Sequence, residues 1–92
     1  SEADPEYDAW FYMKGLAHKY RREWRECLQA NLRAIAVATE RNEGAIWNAA
    51  IAATALGEWA QARQLWTRYG LTLPPGEGPI EGRFGIASVR LN

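Results

Sequence analysis

This chain of 92 residues has one cysteine, one histidine and no excess of either charge. A single cysteine excludes an internal disulfide framework and any zinc site built from cysteines. The eleven basic and eleven acidic side chains cancel, so net charge gives no reason to expect nucleic acid or an anionic membrane as a partner. One thiol is compatible with a reducing compartment, and we expect the chain to be cytoplasmic.

Long hydrophobic runs and a leader-like start are also missing. No apolar stretch approaches the roughly 20 residues that a membrane-spanning helix needs. The first four residues, 1–4, are polar and acidic, unlike the basic and then apolar start of a signal peptide. We therefore expect neither a membrane segment nor a secretion signal.

Patterns that carry catalysis or bind metals are scarce too. His18 lies on a predicted helix without an obvious acid or nucleophile beside it, and we interpret it as an exposed helical residue. Glu23 and Glu26 share a helix face, as many solvated pairs do. The glycines near the C-terminus lack a phosphate-loop pattern with its lysine. The sequence thus predicts a protein that is not an enzyme, with no catalytic residue, no cofactor and no metal site.

Aromatic residues and an internal repeat are what the sequence has in abundance. Five Trp and four Tyr supply large areas for a core or a recognition surface. Residues 35 apart correspond in type: Tyr12 with Trp47, Leu16 with Ile51, Ala17 with Ala52, Trp24 with Trp59, and Cys27 with Ala62. Such a period is typical of stacked supersecondary units, which usually bind a partner rather than transform a substrate.

Start and stop signals predict four helices. Asp4 and Pro5 suit the cap and first position of a helix. A polar stretch at 42–44 is predicted to end the second helix, while Gly57 and Gly70 end the third and fourth. The predicted helices span residues 5–19, 23–41, 45–56 and 59–69. Within the first of them lies Gly15, and a glycine tolerated there indicates the close approach of a neighbouring helix.

The last segment, residues 74–92, changes character. It is rich in Gly and Pro and reads as loop, except for a weakly strand-like stretch at 84–91. Because a strand needs a partner for its backbone, this stretch either packs on the helices or begins a further domain that is truncated here. We favour truncation.

The second repeat resembles the tetratricopeptide repeat family. It has the family's residues at Gly57, Trp59, Ala62, Trp66 and Pro74, and Ala52 fits as the small residue of its first helix. The first repeat fits at Gly15, Ala17, Trp24 and Ala34. It departs from the pattern where Arg22 replaces the turn glycine, Asn31 the second aromatic and Thr39 the proline.

The resemblance covers roughly residues 9–75, and it implies an all-α fold. Two antiparallel helix-turn-helix units would stack in a right-handed sense over residues 5–73, followed by an irregular or short β-like tail at 74–92. Two units are too few to close their own ends. The tail, a missing domain or another copy of the chain would then cover them, so homo-oligomerisation through uncapped repeat ends stays open.

The resemblance also implies where a partner would bind. In this family the first helix of each unit lines a concave groove that accepts peptides or helices. The corresponding residues here are Tyr12, Leu16, Lys19, Tyr20, Trp47, Ile51 and Thr54. Trp10 and Met13, by contrast, are predicted to be interior because they face the paired helix. Members that grip the C-terminal carboxylate of chaperones place a Lys and Asn pair where this chain has Tyr12 and Leu16, so that ligand is not expected.

Three hypotheses about function remain at this point. The groove binds an apolar peptide or helix of a partner protein. Alternatively, the helices are a structural or dimerisation scaffold for a missing β-rich C-terminal domain, and the chain's own segment fills the groove. In the third hypothesis, the full-length protein is an enzyme whose chemistry lies beyond Asn92.

Overall fold

The computed structural model describes residues 5–73, 76 and 78–80. These residues form four α-helices and no strand: α1 (Pro5–Tyr20), α2 (Trp24–Val37), α3 (Glu43–Leu56) and α4 (Trp59–Tyr69). The prediction of an all-α fold is therefore confirmed for this part of the chain. The strand-like stretch predicted at 84–91 lies outside the described residues. None of the four helices is long and apolar enough to cross a membrane.

The junction between α2 and α3 differs from the sequence-based expectation. α2 ends at Val37, and the next residue, Ala38, is already extended. Asn42 does not end α2 but caps the start of α3, where its side-chain oxygen accepts a hydrogen bond from the Ala45 amide at 3.0 Å. A polar residue of this kind serves turns and N-caps equally well, which is why the sequence alone misplaced the boundary.

The turns inside the two units have the same backbone structure. Gly57, after α3, is left-handed at φ 74°, and its counterpart Arg22, after α1, takes φ 58°. In each turn the next residue donates its amide to the carbonyl five residues back, at 2.9 Å in the first turn and 3.0 Å in the second. This is the hydrogen bond of a helix-terminating Schellman motif. The 35-residue repeat is thus visible in backbone geometry as well as in residue types.

α1 and α2 approach closely at Gly15. A Cβ atom there would lie 2.3 Å from Nδ2 and 2.8 Å from Cγ of Asn31. Since both distances are far below van der Waals contact, no residue with a side chain fits without movement of its neighbour. The close approach expected from a glycine inside a helix is confirmed.

The core lies between α2, α3 and α4. α3 is buried over most of its length, as its alanine-rich sequence predicts. Trp66 of α4 is fully buried, and its indole Nε1 donates to the Thr54 hydroxyl at 2.9 Å. That hydroxyl in turn donates to the carbonyl of Ala50 at 2.7 Å. This hydrogen-bonded chain satisfies the polar atoms that α3 and α4 bury against each other.

The chain after α4 folds back onto the second unit. Ile80 is 6% exposed and belongs to the core cluster, against which Leu71 and Leu73 also pack. Arg63 of α4 donates to the carbonyl of Gly78 at 2.7 Å. These residues of the tail therefore cover part of the end of the second unit.

On α1, the expectation for Trp10 and Met13 was wrong. Their exposed fractions are 55% and 60%, so neither is interior. α1 carries apolar residues on more than one side, and α2 packs on the side of Gly15 instead. Helical periodicity identifies apolar stripes but does not say which stripe meets the neighbouring helix.

Candidate functional site

A concave surface opens between α1, α3 and the end of α4, around a cavity of about 380 Å³. We call it the α1–α3 groove. Its lining residues are Tyr12, Leu16, Lys19, Tyr20, Glu43, Gly44, Trp47, Asn48 and Tyr69. Five of the seven residues that the resemblance points to are among them. Both units of the repeat therefore contribute to one surface.

The remaining two, Ile51 and Thr54, do not line the groove. They are only 1% and 2% exposed. Ile51 belongs to the core cluster, and the Thr54 hydroxyl is occupied by the hydrogen bonds with Trp66 and Ala50. Both lie one or two turns beyond Trp47 on α3, where α4 covers the helix. A ligand in the groove would touch the first half of α3 and not its second half.

Aromatic rings build the α4 side of the groove. The Trp47 ring centroid lies 5.1 Å from that of Trp66 and 4.9 Å from that of Tyr69. Trp47 and Trp66 meet edge to face, at an interplanar angle of 88°. Edge-to-face contacts of this kind are attractive and orient the rings, so the half-buried Trp47 is held in place. No sequence signal linked Tyr69, which also lines the groove, to this surface.

The α1 side combines an aromatic ring with a positioned cation. The Tyr12 ring packs directly on Gly44, where an added Cβ would lie 2.8 Å from Tyr12 Cε1. Lys19 Nζ donates to the side-chain oxygen of Asn48 at 3.1 Å. Asn48 itself is 2% exposed, so this bond fixes the ammonium group at the wall of the groove. Gly44 and Asn48 position the Tyr12 ring and the Lys19 ammonium through contacts between α1 and α3. The sequence did not identify either residue as part of the groove.

Behind the groove, Cys27 of α2 is fully buried against α3. Its Sγ lies 3.9 Å from the backbone oxygen of Asn48. Burial is the main cause that raises the pKa of the Cys27 thiol to about 11, against the smaller opposing effects of the Asn31 side chain and the Lys19 charge. The thiol is therefore protonated at neutral pH, and a protonated, enclosed thiol is not a nucleophile.

His18 has an acidic neighbour, contrary to the sequence-based interpretation. Its Nδ1 lies 2.8 Å from Oε1 of Glu23, because the turn after α1 folds Glu23 back over the end of the helix. Glu26 lies close by, and the ligand atoms of the three residues are all within 4.8 Å of one another. This is the one group among the described residues with a spacing suited to a metal ion. It lies outside the α1–α3 groove.

Arg25 adds a positive charge that interacts with Glu26, one of these three residues. It forms a hydrogen-bonded ion pair with Glu58. That hydrogen bond is the main cause of its raised pKa, and the charge of Glu26 adds a smaller contribution. Because the guanidinium already interacts with the Glu26 carboxylate, it opposes the binding of a metal cation by His18, Glu23 and Glu26.

Comparison of the chain with models of protein families, with curated proteins and with solved structures found no match.

Proposed function

We propose that the chain is a non-enzymatic protein-interaction module of tetratricopeptide type, which binds a peptide or helix of a partner protein in the α1–α3 groove. The observation that carries this proposal is the convergence of Tyr12, Leu16 and Tyr20 from the first unit with Trp47 from the second on one concave surface. The equal geometry of the two helix turns supports the assignment to that repeat type.

The chemistry of the groove favours an apolar ligand side chain. Three tyrosines and one tryptophan line it, and such side chains offer large rigid contact areas with hydroxyls at their tips. A cavity of about 380 Å³ is in the range of ligand-binding sites. We propose that the ligand places one or two aliphatic or aromatic side chains against Trp47, Tyr12 and Tyr20.

The fixed Lys19 adds a polar preference. Its ammonium is oriented by Asn48 but retains donor capacity, since an ammonium has three protons. An acidic or carbonyl group of the ligand beside the apolar anchor would accept from it. Glu43, at the start of α3, lines the same groove and would repel an acid placed near it, so the acceptor belongs at the Lys19 end.

The test begins with selection of binders on the immobilised chain from a displayed library of random 12-residue peptides. Enriched peptides are synthesised with a fluorophore and titrated by anisotropy. Tyr20 is the variant of choice because it is 72% exposed, so Tyr20→Ala removes groove surface with little effect on folding. Trp47 is less suitable, since its ring is packed against Trp66.

Loss of one apolar anchor contact is worth about 1–2 kcal/mol, or roughly 5- to 30-fold in affinity. We expect that weakening for Tyr20→Ala. Trp10→Ala is the matched control, because it removes an exposed aromatic ring that does not line the groove. A library that yields no binder, or peptides that bind the Tyr20 variant as tightly as the parent, would refute the assignment of the groove.

A further inference from the structure

The end of α4 supplies one wall of the α1–α3 groove. Tyr69 is the last residue of α4 and lines the groove, where its ring centroid lies 4.9 Å from that of Trp47. The last carbonyls of a helix have no partner within the helix, and helix ends open locally more easily than helix centres. The groups that pair the last carbonyls of α4 therefore affect where the Tyr69 ring stands.

The residues that follow α4 pair the first two of its last four carbonyls. The amide of Gly70 donates to the carbonyls of Trp66 and Thr67 at 3.1 and 3.0 Å. The amide of Leu71 also donates to the Trp66 carbonyl, at 3.0 Å. These bonds leave the final two carbonyls, which belong to Arg68 and Tyr69, to be paired by another part of the chain.

Arg41, in the connection between α2 and α3, pairs both of them. Its Nη2 donates to the carbonyls of Arg68 and Tyr69 at 2.6 and 3.1 Å. Its Nε donates to Oε1 of Glu43, the first residue of α3, at 3.0 Å. A planar guanidinium donates in several directions at once, and a cation at the C-terminal end of a helix is favoured by the helix dipole. One side chain thus joins the start of α3 to the end of α4.

The next residue, Asn42, joins α3 to α1. Its side-chain oxygen caps α3 by accepting from the Ala45 amide, and its Nδ2 donates to the Asp8 carboxylate of α1 at 3.1 Å. Two consecutive residues of one short connection therefore hold together the three helices that line the groove.

We infer that Arg41 is a positioning residue of the α1–α3 groove, which holds the last turn of α4 so that the Tyr69 ring stays against Trp47. Arg41 is not one of the residues that line the groove, so it acts through Tyr69 and not by contact with the ligand. Its effect on binding rests on the proposed function of the groove, whereas its effect on the Tyr69 ring does not.

This role is separable from the stability of the whole chain. The Arg41 side chain is 47% exposed, and ion pairs at such positions contribute little to stability. Beyond α4, Leu71 and Leu73 pack against the core and keep the helix in place. Loss of the Arg41 donors should therefore loosen the last turn of α4 and leave the rest of the fold intact.

Arg41→Met keeps most of the aliphatic stem and removes the donors. With the fluorophore-labelled peptide selected on the parent chain, we expect its affinity to fall about 3- to 10-fold, less than the roughly 5- to 30-fold loss of an anchor contact, because the Tyr69 ring is less ordered but still present. Arg41→Lys retains a cationic donor for the two carbonyls and should recover most of that loss.

Arg25→Met is the matched control. It breaks the ion pair with Glu58 at the other end of α4, away from the groove, and should bind the peptide like the parent. Circular dichroism and urea unfolding of these variants check that the helices and the overall stability are retained.

A double-mutant cycle identifies the route of the effect. In a Tyr69→Ala background, Arg41→Met should change the affinity no further, because the ring that it positions is gone. An undiminished effect in that background would mean that Arg41 acts by another route, such as the charge of Glu43 in the groove, and would overturn the inference.

A measurement without ligand tests the same contact. The indole N–H signal of Trp47 in ¹H–¹⁵N spectra is assigned by its absence from Trp47→Phe, and it senses the adjacent Tyr69 ring. Arg41→Met should shift this signal in the same direction as Tyr69→Ala does, and Arg25→Met should not. A Trp47 signal that Arg41→Met leaves in place would contradict the positioning role.

The two measurements separate the inference from the proposed function. If Tyr20→Ala weakens peptide binding but Arg41→Met does not, the inference is wrong and the assignment of the groove stands. If no peptide binds, that assignment is wrong, and the Trp47 signal alone decides whether Arg41 holds the Tyr69 ring.

Discussion

The contact between Gly15 and Asn31 makes a sharp prediction about stability. In the protein as it stands, Gly15→Ala should be destabilising even though alanine is the better helix former. The new Cβ would lie 2.3 Å from Nδ2 of Asn31, so the amide must move. That amide is fully buried and its Nδ2 donates to the carbonyl of Cys27 at 2.9 Å, which leaves it little freedom to do so.

The magnitude follows from two opposing effects. Alanine in place of glycine within a helix is worth about 1 kcal/mol. Overpacking in a closely packed contact costs about 1–3 kcal/mol, so the net change is a loss of roughly 1 kcal/mol in the free energy of unfolding. In an Asn31→Ala background the obstacle is gone, and the same Gly15→Ala change should stabilise by about 1 kcal/mol. The sign of the effect reverses, with a coupling of about 2 kcal/mol.

Urea unfolding followed by circular dichroism measures all four members of this cycle. Ala9→Gly, at an exposed position of α1, calibrates the glycine–alanine difference on the same helix. In the second unit, the positions equivalent to Gly15 and Asn31 are Ala50 and Trp66, so an alanine occupies the helix position there and a different side chain faces it. If Gly15→Ala has the same effect with and without the Asn31 side chain, the close approach does not decide that position and the reasoning fails.

Two further predictions concern the first unit. Arg22 has φ 58°, a conformation that costs a residue with a side chain about 1 kcal/mol, so Arg22→Gly should raise the free energy of unfolding by up to that amount. Arg22→Ala should leave it nearly unchanged, and equal urea midpoints for all three proteins would count against strain at this turn. Cys27 has a folded-state pKa of about 11, whereas an unfolded thiol titrates near 8.5. The stability that this difference confers is complete below the unfolded pKa, and about 2–3 kcal/mol of it is lost as the pH rises toward 11. The difference in stability between the parent and Cys27→Ala should shift by that amount over this pH window; a flat difference would contradict the shift.

Local sequence signals predicted the helix ends correctly where the residue type is specific to one kind of backbone conformation. The bounds of α4 were predicted correctly, and Gly57 adopts the left-handed conformation expected of a glycine that ends a helix. The boundary near Asn42 failed because asparagine caps a helix start as readily as it occupies a turn. The side chain alone does not decide between the two.

The candidate groove was predictable only in part. Tyr12 and Trp47 are large side chains at equivalent repeat positions, and that equivalence placed both on one surface. Thr54 does not line the groove because it is buried and its hydroxyl accepts a hydrogen bond from Trp66. Tyr69 lines the groove because the end of α4 lies beside Trp47 of α3. The residue pattern of α4 alone does not predict this contact.

By itself the sequence determined the number of helices among the described residues, the repeat and the place of the close approach at Gly15, because periodicity, caps and glycine act over one or two turns. The tertiary structure alone decided which side of each helix is covered. Trp10 and Ala45 occupy equivalent positions, yet one is 55% exposed and the other is buried. Whether a helix face lies at the surface or in the core depends on the neighbour that packs against it, and the pattern within one helix does not record that neighbour.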